Sequence, residues 1–252
     1  MAHVDLYDDT AEIYDLLELS GQAQTPITNN LLISQFRQHN VTDVLDMTCG
    51  TGAQTIGLSR AGFRVVGSDL SRGMLDVAIR KSSGLPVTYH QADMRSVSLG
   101  KFDAIISMFN AIGHLSTPDF ERTVRNAADN LRPGGIYIFD IFNRDVIGLA
   151  AGHEIIDAVR EIGDTKYVRF TRSHFDDASG HLTLTQRTYV QRRREEPRVI
   201  PDEYTLQTYR QSELEELLTR NGFEQARVTG DGMLDVFGVR GLCHFAVARK
   251  AN

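Results

Sequence analysis

Val41-Thr-Asp-Val-Leu-Asp-Met-Thr-Cys-Gly-Thr-Gly52, followed by Phe63-Arg-Val-Val-Gly-Ser-Asp69, is the stretch that decides the fold. Val41–Leu45 is a short, branched, apolar run, which reads as a buried parallel strand. It ends in Asp46 and turns through Gly50-Thr-Gly52. Glycine there permits dihedrals and a close backbone approach that a β-carbon blocks. Ala53–Arg60 has helical spacing, with Ile56 and Leu58 on the inner face. A helix entered through such a loop aims free N–H groups into a crevice. Val65–Val66 reads as the next strand, and Asp69 closes it. A carboxylate in that place can accept both hydroxyls of a ribose. The pattern predicts a nucleoside-binding βαβ unit.

Two cofactor classes suit this unit, and the residues separate them. A dinucleotide needs a third small residue so that the helix packs under its pyrophosphate, and Thr55 stands there instead. Asp46 would add negative charge beside a phosphate but would suit a cationic amine. S-adenosylmethionine carries a ribose, an adenine and an ammonium, and no phosphate. Asp46-Met-Thr-Cys-Gly-Thr-Gly52 resembles the first motif of the class I S-adenosylmethionine-dependent methyltransferases, and Asp69-Leu-Ser71 their second. The resemblance implies an α/β fold: a doubly wound Rossmann-like sheet that ends in an antiparallel hairpin. It implies S-adenosylmethionine as cofactor, with Asp46, Thr48, Gly50, Gly52, Asp69 and Leu70 in its site.

Length and composition agree with one such domain plus an insertion. The chain has 252 residues, of which 41% are hydrophobic, so disorder is not expected. Its net charge of −6 argues against nucleic acid as partner. No apolar run approaches a membrane span, and the first residues lack a basic and then apolar leader, so a cytoplasmic protein is expected. The two cysteines, Cys49 and Cys243, read as small buried residues and not as a disulfide framework. The reading admits a homodimer. The eight histidines are scattered without metal-ligand spacing, so no metal is expected.

Helical spacing continues outside the opening stretch. Thr10–Leu19 is amphipathic, and Thr25-Pro26 is expected to open a helix to about Arg37. Ser71 is the expected N-cap of a helix that turns Met74, Leu75 and Ala78 inward. Strands are expected at Pro86–Tyr89, Phe102–Met108 and Ile136–Ile141, with a helix from Thr117 to near Leu131 and a turn at Arg132–Gly135. From about Arg144 the period changes to two. Tyr167–Phe175, His181–Arg192 and Arg198–Tyr209 read as an antiparallel meander. Gln211–Asn221 returns to helix, and Phe223–Thr229 with Leu242–Arg249 reads as the final strand pair. The expected division is 1–144 and 210–252 for the cofactor-binding domain, with an inserted β lid at 145–209.

The remaining site candidates rest on place and resemblance. Asp93 and Met94 follow the third strand, in the loop that lies beside adenine in the family. Met108 and Asn110 leave the fourth strand at the edge where ligands of open α/β sheets bind. The run ending Ile112-Gly-His-Leu115 resembles small-molecule N-methyltransferases, those of amino sugars and, more distantly, of glycine and sarcosine. In these the histidine faces the substrate, so His114 is the expected base or orienter. Tyr14, and Tyr7 beside it, are expected to reach the cofactor or acceptor from an N-terminal helix. Arg169, Tyr189 and Tyr204 are the lid residues expected at the acceptor. The resulting expectation is N-methylation of a small molecule. O-methylation of a carboxylate or hydroxyl, and a non-catalytic cofactor-binding module, are its alternatives.

Overall fold

Strands supply the frame on which the site is built. The computed structural model describes residues 2–230 and 240–251, with backbone alone for residues 2–6, 9 and 19–23. Five strands run parallel: β1 (Asp43–Asp46), β2 (Arg64–Asp69), β3 (Thr88–Gln91), β4 (Phe102–Ser107) and β5 (Leu131–Phe142). Four more, β6 (Glu154–Ile162), β7 (Thr165–Asp176), β8 (His181–Arg192) and β9 (Arg198–Gln207), make a separate antiparallel sheet in sequence order. The chain then returns to the first sheet with β10 (Phe223–Thr229) and β11 (Cys243–Lys250). That sheet has the order β10-β11-β5-β4-β1-β2-β3, and its strand order reverses between β1 and β4. A crevice opens at such a reversal, above the C-terminal ends of the strands.

Alternation along each strand sorts the core into two layers. Val44, Ala104, Ile106, Ile136 and Ile138 pack with Leu32 and Phe36 of α2 (Leu19–Gln38) and Leu58 of α3 (Ala53–Arg60). Their neighbours Leu45, Ile105, Tyr137 and Phe139 face the other way. They meet Phe120 and Val124 of α5 (Thr117–Asn130) and Leu214 and Leu218 of α7 (Gln211–Arg220). Residues on central strands are buried on both faces, which is why β1 and β4 read as continuous apolar runs.

Helix α1 (Ala2–Leu17) precedes α2, and the break between them is Glu18, which is extended at φ −74° and ψ 90°. Pro26 therefore lies inside α2, and the expected helix start at Thr25 is displaced to Leu19. A helix supplies the φ that proline needs; the cost is one missing N–H at that turn. Helix α4 (Arg72–Lys81) has the expected cap, with Ser71 Oγ accepting from Met74 N at 3.1 Å.

Two further expectations need correction. Arg132–Gly135 is not a free turn but the irregular start of β5, with a register shift against Phe102 and Ala104. A β-carbon on Gly135 would come within 2.9 Å of the Asp103 carbonyl oxygen, so only glycine passes there. The second sheet has four strands rather than three. Ile155 and Ile156 sit together in β6 beside a bulge, which breaks the alternation that would have announced it. The hairpin signal was present at Ile162-Gly-Asp-Thr165, where Gly163 has φ 56°. Between the sheets, α6 (Arg144–Ala150) is capped by Asn143, whose side chain accepts from Asp145 N.

Candidate functional site

The crevice is a cavity of about 1790 Å³ between the C-terminal edge of the parallel sheet, the α1–α2 junction and the inner face of the second sheet. Single small-molecule sites usually measure about 300–1,000 Å³. This cavity has room for two ligands.

The glycine loop forms one end. Gly50 (φ 49°) and Gly52 (φ 87°) are both left-handed, and a β-carbon at Gly52 would crowd Ala78, Ile56 and the Tyr89 hydroxyl at 3.2 Å. Asp69 anchors the loop: Oδ2 accepts from Gly50 N at 2.7 Å and Oδ1 from Ser71 N at 3.0 Å. Burial raises its pKa, and those backbone N–H groups oppose the rise. Thr48, Gly50, Asp69 and Leu70 all line the cavity.

Asp46 and Gly52 do not. Asp46 is 1% exposed, lies behind the wall and accepts from Thr55 Oγ1 at 3.0 Å and Thr48 N at 3.3 Å. Burial pushes its pKa up to about 7. Direct contact between Asp46 and a cofactor ammonium, as expected from sequence, is replaced by a bond that fastens the loop to α3. Thr55 stands at the third loop position because its hydroxyl satisfies that carboxylate.

The middle of the cavity is lined by Asp93, Met94, Met108 and Asn110. Both oxygens of Asp93 already accept from Arg95 (2.5–3.0 Å), whose Nη1 also reaches Asp119 at 2.9 Å. That pairing holds the Asp93 carboxyl below its usual range. Phe109 (φ 59°) and Asn110 (φ 56°) are consecutive left-handed residues, a strained turn of the sort that clusters at functional sites. Asn110 Oδ1 accepts from Phe142 N, and Asn110 N donates to Asp140 Oδ2, both at 2.9 Å. Asp140 was not anticipated. It lines the cavity and is 1% exposed, and burial raises its pKa to about 7. Its Oδ1 has no hydrogen-bond partner among the described residues.

At the far end the structure brings together Tyr7, Tyr14, His114 and Tyr204. The Tyr7 hydroxyl is 3.1 Å from His114 Nε2, and the His114 ring lies 5.6 Å from Tyr204 and 5.9 Å from Tyr7. Tyr14 meets Tyr7 edge-on at 6.0 Å. His114 ends a single 3₁₀ turn, Ala111–His114, that follows β4. Burial raises the pKa of both Tyr7 and Tyr14, and Glu18 adds to each.

Arg169 lies on the wall, but its guanidinium is engaged within the protein. Nε bonds both oxygens of Asp157 at 3.0 Å, Nη1 reaches Glu18 Oε1 at 2.8 Å and Nη2 reaches the Leu17 carbonyl at 3.3 Å. It fastens the second sheet to the α1–α2 junction. Tyr189 is a correction. Thr188 faces the cavity, so Tyr189 faces away, and its ring packs 5.6 Å from Phe170. Arg172 and Arg187 are also off the wall and share Glu154. Sequence reading passed over Glu18, Asp157 and Asp202, all on the cavity wall. Their signal was an acid opposite a buried face, legible only once the strand register is known. Of the cysteines, Cys49 is buried and Cys243 is only half-buried; both line the cavity. Among the described residues no cluster of acids, histidines and cysteines could hold a metal, and no helix is long and apolar enough to cross a membrane.

A family model described as a methyltransferase domain matches residues 44–135, which run from β1 into β5. YqeM of Bacillus subtilis (strain 168), a methyltransferase-type protein, is 30% identical over 192 residues, covering 75% of this chain and 76% of its own. The chain is a class I S-adenosylmethionine-dependent methyltransferase. The dTDP-3-amino-3,4,6-trideoxy-alpha-D-glucopyranose N,N-dimethyltransferase of Streptomyces venezuelae is 33% identical to this methyltransferase, over 52% of the chain and 56% of its own. The X-ray structure of the sugar N-methyltransferase KedS8 from Streptoalloteichus sp ATCC 53650 shares the fold. Its TM-score is 0.80 at 23% identity, covering 95% of this chain and 93% of that one.

The residues of this methyltransferase fit its cofactor. Gly50 leaves open space where a β-carbon would stand. Asp69 presents a buried carboxylate of the kind that holds a ribose diol. Gln24 and Gln54, 2% and 4% exposed, line the same end, and the Nε2 of each lacks a partner among the described residues. A buried amide donor without an acceptor is costly, and the carboxylate of an amino acid supplies one.

Proposed function

We propose that this methyltransferase transfers its methyl group to the nitrogen of a small amine. The observation that carries the proposal is the pairing of His114 with Tyr7 and Tyr204 in a cavity that also holds the glycine loop. When bound, S-adenosylmethionine supplies an electrophilic methyl group. Asp69, Leu70 and Met94 would hold its nucleoside, and Gly50, Gln24 and Gln54 its amino-acid end. The residues at the other end act on the acceptor. An amine attacks only as its free base, and imidazole is suited to take or hold the proton. Tyr7 keeps its proton, because burial and the acids around it disfavour a phenolate. It therefore fixes the His114 ring without competing for the proton. The second sheet, acting as a lid, excludes water and aligns the reacting atoms, which is where most of the rate gain of such a transfer arises.

The Streptomyces venezuelae relative is itself named for N,N-dimethylation of an amino sugar, which supports the choice of nitrogen. The net charge of −6 supports a small acceptor over a nucleic acid, and the low cysteine content supports a reducing, cytoplasmic setting. The direct test is a methyl-transfer screen across amines, hydroxyls and carboxylates, read by mass spectrometry of the products. N-methylated product is expected; transfer to oxygen alone would defeat the proposal.

A further inference from the structure

We propose that the acceptor is a cationic amine that brings neither phosphate nor carboxylate into the cavity. This rests on the N-methylation reading above and narrows it. Among the described residues, the lysines and arginines on the wall are Lys81, Arg95 and Arg169. Each is held by carboxylates of the protein itself. Lys81 meets Asp15 at 2.5 Å, Arg95 meets Asp93 and Asp119, and Arg169 meets Glu18 and Asp157. The residues without described side chains include no lysine or arginine. His153 stands on the rim and is exposed. Anion sites are built from bidentate guanidinium or ammonium groups, and none on this wall lacks a carboxylate partner.

The ceiling carries the same message. Thr171, Gln186 and Asp202 lie side by side across β7, β8 and β9, and all three line the cavity. Gln186 Nε2 donates to Thr171 Oγ1 at 3.1 Å, and Thr171 Oγ1 donates to Asp157 Oδ2 at 2.8 Å. The donors of these two bonds point toward β6. The row sets the Gln186 amide and the negative charge of Asp202 on the cavity wall. On the floor, Asp140 Oδ1 is buried, on the wall and without a donor among the described residues. Between ceiling and floor stand the rings of Tyr7, Tyr14 and Tyr204, whose faces attract a cation. Acceptor oxygens and aromatic faces recognise an ammonium. A phosphate placed against them meets carboxylates of its own sign, which is repulsive in a site that excludes water.

Matched pairs of acceptors test this on the intact enzyme: glucosamine and glucosamine 6-phosphate, ethanolamine and phosphoethanolamine, glycinamide and glycine. The amine without the anion should be favoured by at least about tenfold in kcat/KM in every pair that is turned over. Gln186→Lys, which adds an ammonium to the ceiling, should narrow or reverse that preference without changing cofactor affinity. An anionic member that matches or beats its partner in the unmodified enzyme overturns the inference. Methylation of no amine in either form overturns the N-methylation reading instead, and this inference with it.

Discussion

The glycine loop and the second sheet, the proposed lid, reach the same cavity by different physics. In the loop, backbone carries the geometry. Gly50 N and Ser71 N meet Asp69, and Asp46 meets Thr48 N. In the lid, side chains carry it, through a chain from Gln186 to Thr171 to Asp157 to Arg169 to Glu18. A backbone site constrains the sequence, because each glycine and acid has one place to stand. A side-chain site on a strand constrains only parity: the residue must fall on the inward face. The comparison teaches that a nucleoside loop is recognised by motif, and an acceptor pocket by register.

Breaking the lid chain should give the largest effect. Arg169→Ala takes the guanidinium from half-buried Glu18 and Asp157 and leaves Asp157 with the Thr171 hydroxyl alone. Breaking a fully buried pair costs about 3–5 kcal/mol, which is the upper bound here. Chemical denaturation should show that loss, with Arg169→Lys recovering part of it. On the loop side, Asp69→Ala removes charge-assisted hydrogen bonds worth about 1.5–3 kcal/mol each. Titration calorimetry should show S-adenosylmethionine binding weakened by at least about tenfold per bond. Unchanged affinity would remove Asp69 from the ribose site. His114→Ala should lower kcat by about 100-fold and leave cofactor affinity alone. A comparable loss in cofactor binding would place His114 in the loop half and not at the acceptor.

The last effect is a slope in pH, and it sharpens the floor between the two. Burial holds the Asp46 and Asp140 pKa values near 7, above that of an unfolded carboxyl. In that window the folded state binds more protons, so this contribution to stability is full below about pH 4 and lost as pH rises to about 7. Each group sets a slope of at most about 1.4 kcal/mol per pH unit. Asp140→Asn should flatten its share, so unfolding free energies of variant and parent should diverge from pH 5 to pH 8. Parallel curves would show that Asp140 ionises as freely in the fold as out of it.

Much of this was legible in the sequence, for a physical reason. Motif residues at strand ends were placed on the right edge because an open α/β sheet has one ligand edge. Asp46 and Gly52 were read as cofactor residues, and neither reaches the cavity wall. One is satisfied by Thr55, and the other packs against Ala78 and Tyr89. In the lid, Tyr204 and Tyr189 looked alike, since both are tyrosines on alternating strands. Only the pairing of Leu184 with Tyr204 and of Val168 with Tyr189 separates the inward face from the outward one. The strand β6 was missed because its bulge puts two isoleucines in sequence. Glu18 and Asp157 were missed because nothing local marks an acid whose partner lies far along the chain.

Helix α1 has a consequence that its composition conceals. Asp8, Glu12 and Asp15 recur on one side and fasten it to the other half: Asp8 to Ser71 Oγ and Gly73 N, Glu12 to Arg80, and Asp15 to Lys81 and Thr51. Tyr7 and Tyr14 recur on the cavity side. Two stripes share one phase. A one-residue insertion between Ala11 and Glu12 would turn everything after it by about 100°. Asp8 and Tyr7 would stay seated, while Asp15 and Tyr14 would swing off their partners. The helix thus contributes to the cavity as a phase, and a change that alters no side chain can dismantle it.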